Sequence, residues 1–287
     1  MTHRFSTLLA AALLVAPASA DDAGYALGFG ASADSGDGIG AVGLVDISFN
    51  DQASVFASYA VTNADAIPDD IETRDWSLGG RFDFGPIGFE ASGGQSGDPD
   101  DFDSTDLMFG VFHTGESWTL SARYLERDID LVVRPILRDD AIPVEVPLEA
   151  EGWRVAARYR TDNRVSLGAS LRQYDYDRDL SPLGGAFIVQ RLSPTTLTLA
   201  SALTDSSITV DVEFPLRGSR AFGLSYARDE LAGNLGDVDS FGANLLMPAG
   251  DRGDLDIGFG LSNSDGVVED DTTFYVSVLY LFYGLFD

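Results

Sequence analysis

The chain has no cysteine and no lysine, and each absence removes a class of function. Without cysteine, neither a disulfide framework nor a thiolate metal site can form. All eighteen basic residues are therefore arginines, and they stand against 46 acids, for a formal net charge of −28. We expect no nucleic-acid partner, because binding nucleic acid requires basic groups that neutralise phosphates.

Apolar runs long enough for a transmembrane helix are also missing. The stretch Leu8–Ala16 follows Arg4 and precedes the small-residue box Ala18–Ala20, which is the layout of a secretory signal peptide. We expect residues 1–20 to be that signal peptide and residues 21–287 to be the mature domain. Cleavage would leave 17 arginines against 46 acids, a formal net charge of −29.

What the chain has instead is a period-two apolar pattern that recurs about fourteen times. In the last occurrence, every second residue from Phe274 to Phe282 is apolar or aromatic. Strand residues alternate faces, so each such stretch can present one apolar wall to lipid. A bilayer offers the backbone no hydrogen-bond partners, so the strands must close on themselves. The pattern predicts an all-β fold, a transmembrane antiparallel up-and-down β-barrel over residues 21–287.

The connections between these stretches alternate between short and long. Outer-membrane barrels have short periplasmic turns and longer extracellular loops, so the alternation supports the same fold. Among the predicted loops, 128–151 contains valines at both ends and either extends as a hairpin beyond the membrane or folds inward. The predicted tight turns are Asn50–Asp51, Gly85–Pro86, Thr114–Gly115, Thr161–Asn163, Pro215–Ser219 and Ala249–Gly253.

The segment after the ninth predicted strand leaves two strand counts open. If Leu183–Asp205 is an extracellular excursion, the barrel has fourteen strands. If Phe187–Gln190 and Thr196–Leu203 cross the membrane, it has sixteen. We favour fourteen, because the stretch at Phe187 is too short to span. The apolar alternation changes phase between Leu203 and the next strand, so a break near Asp205 is required.

With these features the mature chain resembles the Gram-negative outer-membrane β-barrel channels, the porin-like proteins. The resemblance rests on the signal, the strand rhythm, the turn alternation and the aromatic final strand. It implies the bacterial outer membrane, contact with outer-membrane lipid and lipopolysaccharide, and insertion by machinery that reads the C-terminal strand. Tyr280, Phe282 and Phe286 are similar to that insertion signal, whereas Asp287 after the final Phe departs from it.

Charged residues occupy the inward phase of the predicted strands. Adjacent strands lie about 4.8 Å apart, so inward arginines on strands seven to nine would form a continuous basic stripe. Rows of charge set ion selectivity in wide pores. The predicted pore-lining basic residues are Arg81, Arg123, Arg127, Arg154, Arg158 and Arg172, and the acidic ones are Asp46, Asp83, Glu90, Asp211, Glu213, Asp254 and Asp256.

Two functions follow from such a lumen. One is a channel for passive diffusion of small hydrophilic solutes or ions. The other is a closed or narrow barrel, filled by paired charges, with a structural or surface-binding role for its acidic extracellular loops. The inward glycines favour the channel, because they leave little bulk inside. These are Gly28, Gly30, Gly110, Gly168, Gly223, Gly242 and Gly258.

Neither a cofactor nor a catalytic residue is predicted. His113, the single histidine of the mature chain, lies near a predicted periplasmic turn with no serine motif beside it, so we expect no enzyme. The loops Asp98–Asp103 and Asn263–Asp271 are rich in carboxylates. Divalent cations could bridge them to lipid phosphates, but neither loop matches the twelve-residue spacing of an EF-hand calcium site.

Overall fold

The computed structural model describes residues 23–35, 38–50, 52–64, 71–98, 102–133, 144–178, 203–234, 236–250, 252–265 and 271–285. No helix in these ranges is long and apolar enough to cross a membrane. The described residues form fourteen strands and one short 3-10 turn at Ala232–Asn234. The strands are β1 (Gly24–Asp34), β2 (Ile39–Ser48), β3 (Ala53–Ala64), β4 (Ile71–Phe84), β5 (Ile87–Asp98), β6 (Phe102–Thr114), β7 (Trp118–Val133), β8 (Val144–Arg160), β9 (Ser166–Tyr176), β10 (Thr204–Leu216), β11 (Arg220–Leu231), β12 (Gly236–Pro248), β13 (Gly253–Asp265) and β14 (Asp271–Leu285).

The strands close into one antiparallel barrel in sequence order. The seam joins β1 to β14, with Gly24 opposite Leu285 and Asp34 opposite Tyr275. Every strand therefore has a hydrogen-bonded neighbour on both sides, and the sheet has no edge. This is the arrangement that a β-structure in hydrocarbon requires, and it confirms the predicted closed barrel.

The barrel confirms fourteen strands rather than sixteen. Along the chain, β9 ends at Tyr176 and the next strand of the barrel begins at Thr204. Most of the alternative pair of strands, at 187–190 and 196–203, lies outside the described residues. The register between β10 and β11 shifts between Thr204 and Ser206, so a β-bulge stands where the sequence requires a break.

The outer face carries large exposed apolar side chains on every strand. Phe29 and Phe84 are 65% and 61% exposed, which in a bilayer places them against lipid. Near the tight-turn end, aromatic rings contact one another across neighbouring strands. Trp118 and Tyr159 have ring centroids 4.6 Å apart, and Phe84 lies 5.9 Å from the ring of Phe89. Such rings form the aromatic girdle that marks a membrane interface.

The tight turns lie where the sequence predicts them. In the first, the N–H of Phe49 donates to the carbonyl of Ala53 at 2.9 Å. The side-chain oxygen of Asn50 accepts from the backbone N–H groups of Gln52 and Ala53, both at 2.8 Å. This Asx arrangement explains why Asn occupies the turn, since its side chain satisfies donors that the ladder leaves free.

The strands are longer than predicted at the end that carries the long loops. The predicted loop 128–151 is mostly strand, because β7 runs to Val133 and β8 begins at Val144. Of the two predicted alternatives, an extended hairpin and a loop that folds inward, the structure shows the hairpin. The sequence also predicts long loops at 63–75 and 93–105, and these are partly strand, because β4 begins at Ile71, β5 ends at Asp98 and β6 begins at Phe102. In the extended part of β7 and β8 the outward residues are mostly acidic, and the apolar residues Ile129, Leu131 and Leu148 are buried on the inner face. The outward apolar pattern therefore ends before the hydrogen-bonded ladder does.

Glycines on the inner face make room for bulky side chains of adjacent strands. A Cβ on Gly79 of β4 would overlap the ring of Phe56 on β3 and would lie 2.7 Å from the Cβ of Ser92 on β5. Gly88 accommodates the ring of Phe112 in the same way. An aromatic ring that covers a neighbouring glycine pins the strand register.

Replacing Gly79 with Val should destabilise the barrel by about 1–3 kcal/mol, because the inner wall is overpacked there. The matched control is Gly80→Val on the same strand. Gly80 faces outward, and a Cβ there would meet only the carbonyl oxygen of Ser54, at 3.5 Å. Denaturant unfolding in lipid vesicles, followed by tryptophan fluorescence, measures both variants. Equal losses in the two variants would contradict the assigned faces.

Candidate functional site

The charged residues predicted for the lumen all lie on the inner phase of their strands. On β7 the large exposed residues Trp118, Leu120 and Tyr124 define the outer phase, so Arg123 and Arg127 point inward. The same alternation places the other members of the two predicted sets opposite the lipid-facing residues.

Three arginines form one row across β7, β8 and β9. Arg123 lies directly opposite Arg154, and Arg154 lies directly opposite Arg172. Neighbouring strands are about 4.8 Å apart, and like charges in direct cross-strand register repel. The row therefore requires compensating charge.

Arg123 is neutralised by Glu90, which lies two strands away. Its Nε donates to Glu90 Oε1 at 2.5 Å, and a second nitrogen donates to Oε2 at 3.2 Å. Gly110 stands between the two residues in the register. A Cβ on Gly110 would lie 2.9 Å from both side chains, so the glycine is what allows this bidentate pair.

Arg158 and Asp211 form a second pair built in the same way. Arg158 donates to Asp211 Oδ2 at 2.8 Å and to the hydroxyl of Ser166 at 3.1 Å. Gly168 separates the two residues in the register, and a Cβ there would overlap the Asp211 carboxylate.

These contacts correct the expectation that inward glycines widen the lumen. Gly110 and Gly168 are covered by ion pairs, and Gly223 is covered by the side chain of Asn244. The remaining predicted glycines are also covered by neighbouring side chains: Gly28, Gly30, Gly242 and Gly258. The physical reason is that a missing side chain creates a cavity, and close-packed interiors fill cavities of that size.

Two further arginines share an aromatic ring. Arg127 bonds to Asp106 at 2.5 Å, and its guanidinium lies 4.7 Å from the ring centre of Tyr174. Arg172 lies 5.7 Å from the same ring and 3.7 Å from a carboxylate oxygen of Asp229. Both cations are thereby held on the wall of the lumen by charge and by cation–π attraction.

Arg154, at the centre of the row, differs from its neighbours. It donates to the hydroxyl of Ser170 at 3.4 Å, a neutral partner. Within the part of the chain that the structure describes, no carboxylate lies within ion-pair distance of Arg154. Among the three arginines of the row, Arg154 is thus the one without an ion-pair partner in the described ranges.

Acids on other walls have their own arrangement. Asp256 accepts from the neutral amide of Asn244 at 3.1 and 3.3 Å, and no arginine of the described ranges lies within ion-pair distance of it. Glu213 and Asp254 lie on the same inner phase of β10 and β13. Arg81 and Asp83 pair on β4 at 3.2 Å, beneath a contact of 3.7 Å between Arg81 and the ring centre of Phe112. Asp46 lies on the inner phase of β2.

Sequence reasoning missed Asp106 and Asp229, the acids that pair with Arg127 and Arg172. The period-two alternation could have identified both as inward residues, since each lies an even number of residues from an inward glycine of its own strand. These glycines are Gly110 on β6 and Gly223 on β11. Both lie near the loop ends of β6 and β11, in or beside stretches that were predicted as loop. The ring of Tyr174 between two guanidinium groups had no sequence signal, because it depends on the register of three strands.

The outer face of β6 to β9 carries an acidic ladder above the aromatic pair Tyr124 and Trp153. Its members oppose one another directly, a costly placement for like charges. The opposed pairs are Glu126 with Glu151, Asp128 with Glu149, and Asp103 with Asp130. Among the described residues no group of acids and histidines has the geometry of a metal site.

The predicted acidic loops lie partly outside the described residues, at 99–101 and 266–270. Where they are described, their carboxylates serve local bonds. Asp98 accepts from the N–H of Glu72 at 2.9 Å, and Asp103 accepts from the amide of Gln95 at 2.7 Å. His113 is exposed on the outer phase of β6, one residue before the strand ends at a tight turn.

Comparison with known proteins places the chain in a family. Residues 2–179 match the model of the Gram-negative porins. No curated protein matches the chain. Among solved structures it is similar to CymD, a monoaromatic hydrocarbon channel, at 7% identity with a TM-score of 0.55, over 94% of this chain and 91% of that one. It is also similar to OmpT of Vibrio cholerae, at 10% identity with a TM-score of 0.51, over 93% and 99%.

At such identities the structural likeness shows the fold alone, and it agrees with the closed barrel described above. The family match shows membership in a family as well as a fold, because it spans more than half of the chain. This chain belongs to the Gram-negative porin family and is a channel of the bacterial outer membrane.

Proposed function

We propose that this porin admits small hydrophilic solutes and ions by passive diffusion and that Arg154 is its principal point of attraction for anions. The observation that carries the proposal is the position of Arg154 between two arginines whose charges are compensated. A unit charge about 5 Å from a passing ion contributes roughly 0.8 kcal/mol in water. That is enough to bias passage about two- to fourfold once salt screening is included.

The acids of β10 and β13 support a lumen with charges of both signs. Asp254 and Asp256 on β13 lie four strands beyond β9, on a wall away from the arginine row, and a field across the pore follows from that separation. Glu213 lies on β10, the neighbour of β9. Charges on opposite walls orient dipolar solutes and let ions of either sign pass along their own side. The same closely packed inner face would suit the alternative of a narrow, closed barrel, and conductance separates the two.

We infer that the protein has no catalytic role. His113 is exposed on the lipid-facing phase near a tight turn, away from the charged lumen. A serine-type hydrolase would need this imidazole within hydrogen-bond reach of a serine hydroxyl.

We further infer that residues 1–20 are removed on export, and that residues 21–287 are inserted through recognition of the aromatic C-terminal strand. Phe286 and Asp287 lie outside the described residues. The acidic ladder on the outer face of β6 to β9 supports a partnership with lipopolysaccharide through shared divalent cations. Carboxylates and lipid phosphates repel unless such cations lie between them.

The purified protein in a planar bilayer should show discrete single-channel openings. A potassium chloride gradient across the membrane then gives the reversal potential and the ratio of chloride to potassium permeability. A barrel that is folded by heat-modifiability on gels yet carries no current would contradict the channel and favour the closed barrel.

Arg154→Gln should shift the permeability ratio towards potassium by about two- to fourfold, because it removes the uncompensated charge. Glu90→Gln should shift it towards chloride, because it releases Arg123 from its partner. Reversal potentials of the two variants measure both shifts.

The control is Arg158→Gln, whose charge is already offset by Asp211. It removes one cation and leaves one acid, so a shift as large as that of Arg154→Gln would mean that net lumen charge matters and the position of Arg154 does not. Unchanged ratios in both Arg154→Gln and Glu90→Gln would remove the arginine row from the ion path.

A further inference from the structure

The two ends of the barrel differ in charge. The long-loop end carries the acidic ladder on the outer face of β6 to β9. The tight-turn end carries five exposed arginines, in a chain whose 18 basic residues stand against 46 acids. They lie in or beside the turns after β8, β10 and β12: Arg160, Arg164, Arg217, Arg220 and Arg252.

None of these five arginines forms an ion pair in the described part of the chain. The arginines that do form ion pairs there belong to the lumen wall or to the long-loop end. An excess of acids has therefore left one group of exposed cations without acidic partners, and all of that group lies at one end of the barrel.

Three of the five belong to two turns that lie side by side. The register pairs Ser166 with Glu213, so the turn that follows β8 lies beside the turn that follows β10. Adjacent strands are about 4.8 Å apart. We call Arg164 of the first turn, with Arg217 and Arg220 of the second, the arginine cluster.

The arginine cluster borders the lipid-facing surface. Arg220 lies directly opposite Leu216, and Phe222 lies directly opposite Phe214. Leu216 is 46% exposed and Phe214 is 38% exposed, so both face the hydrocarbon. Arg220 is on the same outward phase, directly beyond this apolar band.

Aromatic residues set the depth of the arginine cluster in the membrane. Tyr159, which contacts Trp118, precedes the first of the two turns, and Phe214 precedes the second. Aromatic girdles mark the boundary between hydrocarbon and headgroups, so the arginines that follow lie at headgroup level. Tight turns of outer-membrane barrels face the periplasm. On that side of the membrane the leaflet consists of phospholipid, and lipopolysaccharide occupies the other.

The backbone of Arg164 supports a role for its side chain. Its φ is 62°, in the left-handed region that favours glycine or asparagine. The turn imposes this conformation, since the N–H of Arg164 donates to the carbonyl of Thr161 at 2.8 Å and the N–H of Thr161 donates to the carbonyl of Val165 at 2.9 Å. Glycine would remove the backbone cost, so an arginine at this position points to a function of the guanidinium.

We propose that the arginine cluster binds the phosphate of an anionic phospholipid in the periplasmic leaflet, while the acyl chains of that lipid lie along Phe214 and Leu216. Guanidinium groups bind phosphate oxygens through charge-assisted hydrogen bonds. The site lies outside the lumen, so the inference goes beyond the proposed function and holds whether or not the barrel conducts.

The chemistry of the surface selects the headgroup. A lipid such as phosphatidylglycerol carries one uncompensated negative charge, whereas the ammonium of phosphatidylcholine offsets its phosphate. A water-soluble phosphate ester has the charge but lacks the acyl chains that contact Phe214 and Leu216. Both parts of the lipid therefore contribute, the phosphate at the arginine cluster and the chains at the apolar band.

The test measures lipid binding to the purified full-length barrel in a neutral detergent by native mass spectrometry. Titration with phosphatidylglycerol and with phosphatidylcholine gives the ratio of the two association constants. We expect phosphatidylglycerol to be favoured by at least about tenfold, because each basic residue near anionic lipid contributes up to about fivefold. The preference should fall as sodium chloride is raised, since salt screens exposed charges.

Replacing both Arg217 and Arg220 with Gln should lower this ratio by about fivefold or more. The matched control replaces Arg74 and Arg228 with Gln. These two arginines are also exposed and outward, but they lie at the other end of the barrel and are paired with acids. The control removes the same number of charges and should leave the ratio unchanged.

Arg164→Gly separates a lipid-binding role from a structural one. Because glycine suits a φ of 62°, this variant should unfold in lipid-free detergent at the same temperature as the wild type or higher. Its preference for phosphatidylglycerol should nevertheless fall by about three- to fivefold. This variant tests the proposal even if the double variant does not fold.

A wild-type ratio near one would overturn the proposal, as would a preference that survives in both the double variant and Arg164→Gly. Glycerol phosphate is the second probe, because it has the headgroup charge without acyl chains. At the concentration of the lipid it should leave phosphatidylglycerol bound. Complete displacement would indicate a simple anion site and would overturn the assignment to a phospholipid.

Discussion

The constraint on which the structure depends is that no backbone N–H or C=O group can stay without a partner in hydrocarbon. Closure of β14 onto β1 meets it for every strand. Closure also fixes the register all the way round, and the register decides which side chains become neighbours. Arg123, Arg154 and Arg172 are far apart in the chain, and only this ladder brings them into one row.

Inside that frame, glycines decide which charges are neutralised. Gly110 and Gly168 remove a side chain between an arginine and an acid two strands away, so Arg123 meets Glu90 and Arg158 meets Asp211. The electrostatic potential in the lumen therefore depends less on the number of arginines and acids than on which of them have no ion-pair partner. At the centre of the row, Arg154 has the hydroxyl of Ser170 as its partner.

Much of the fold could be predicted from the sequence, because lipid imposes a period-two pattern that is visible in single strands. The strand count, the tight turns and the break near Asp205 follow from that pattern. The strand ends could not be predicted, since at the loop ends of β7 and β8 the outward residues are mostly acidic and the apolar ones, Ile129, Leu131 and Leu148, are buried on the inner face, the reverse of the lipid-facing pattern. The lipid-facing pattern therefore predicts a loop over much of the length of the β7–β8 hairpin.

The same distinction, between properties of one strand and properties that depend on several strands, applies to the site. The inward phase of Arg154 is a local property, and the sequence alone reveals it. The pairing of Arg123 with Glu90, and the filling of the inward glycines, depend on the register of three strands. A single sequence without that register therefore suggested open space where Gly168 is covered by Asp211.

The central claim is that Arg154 faces a water-filled path. The chain has no cysteine, so Ser170→Cys introduces one thiol beside the guanidinium. The decisive measurement is the rate at which anionic and cationic methanethiosulfonates modify this thiol, read as a fall in single-channel current. The account predicts modification by both reagents, with the anionic one faster by about two- to fourfold and equal to the cationic one once Arg154 is also replaced by Gln. A folded, conducting barrel whose thiol does not react, or which reacts faster with the cation, would contradict it.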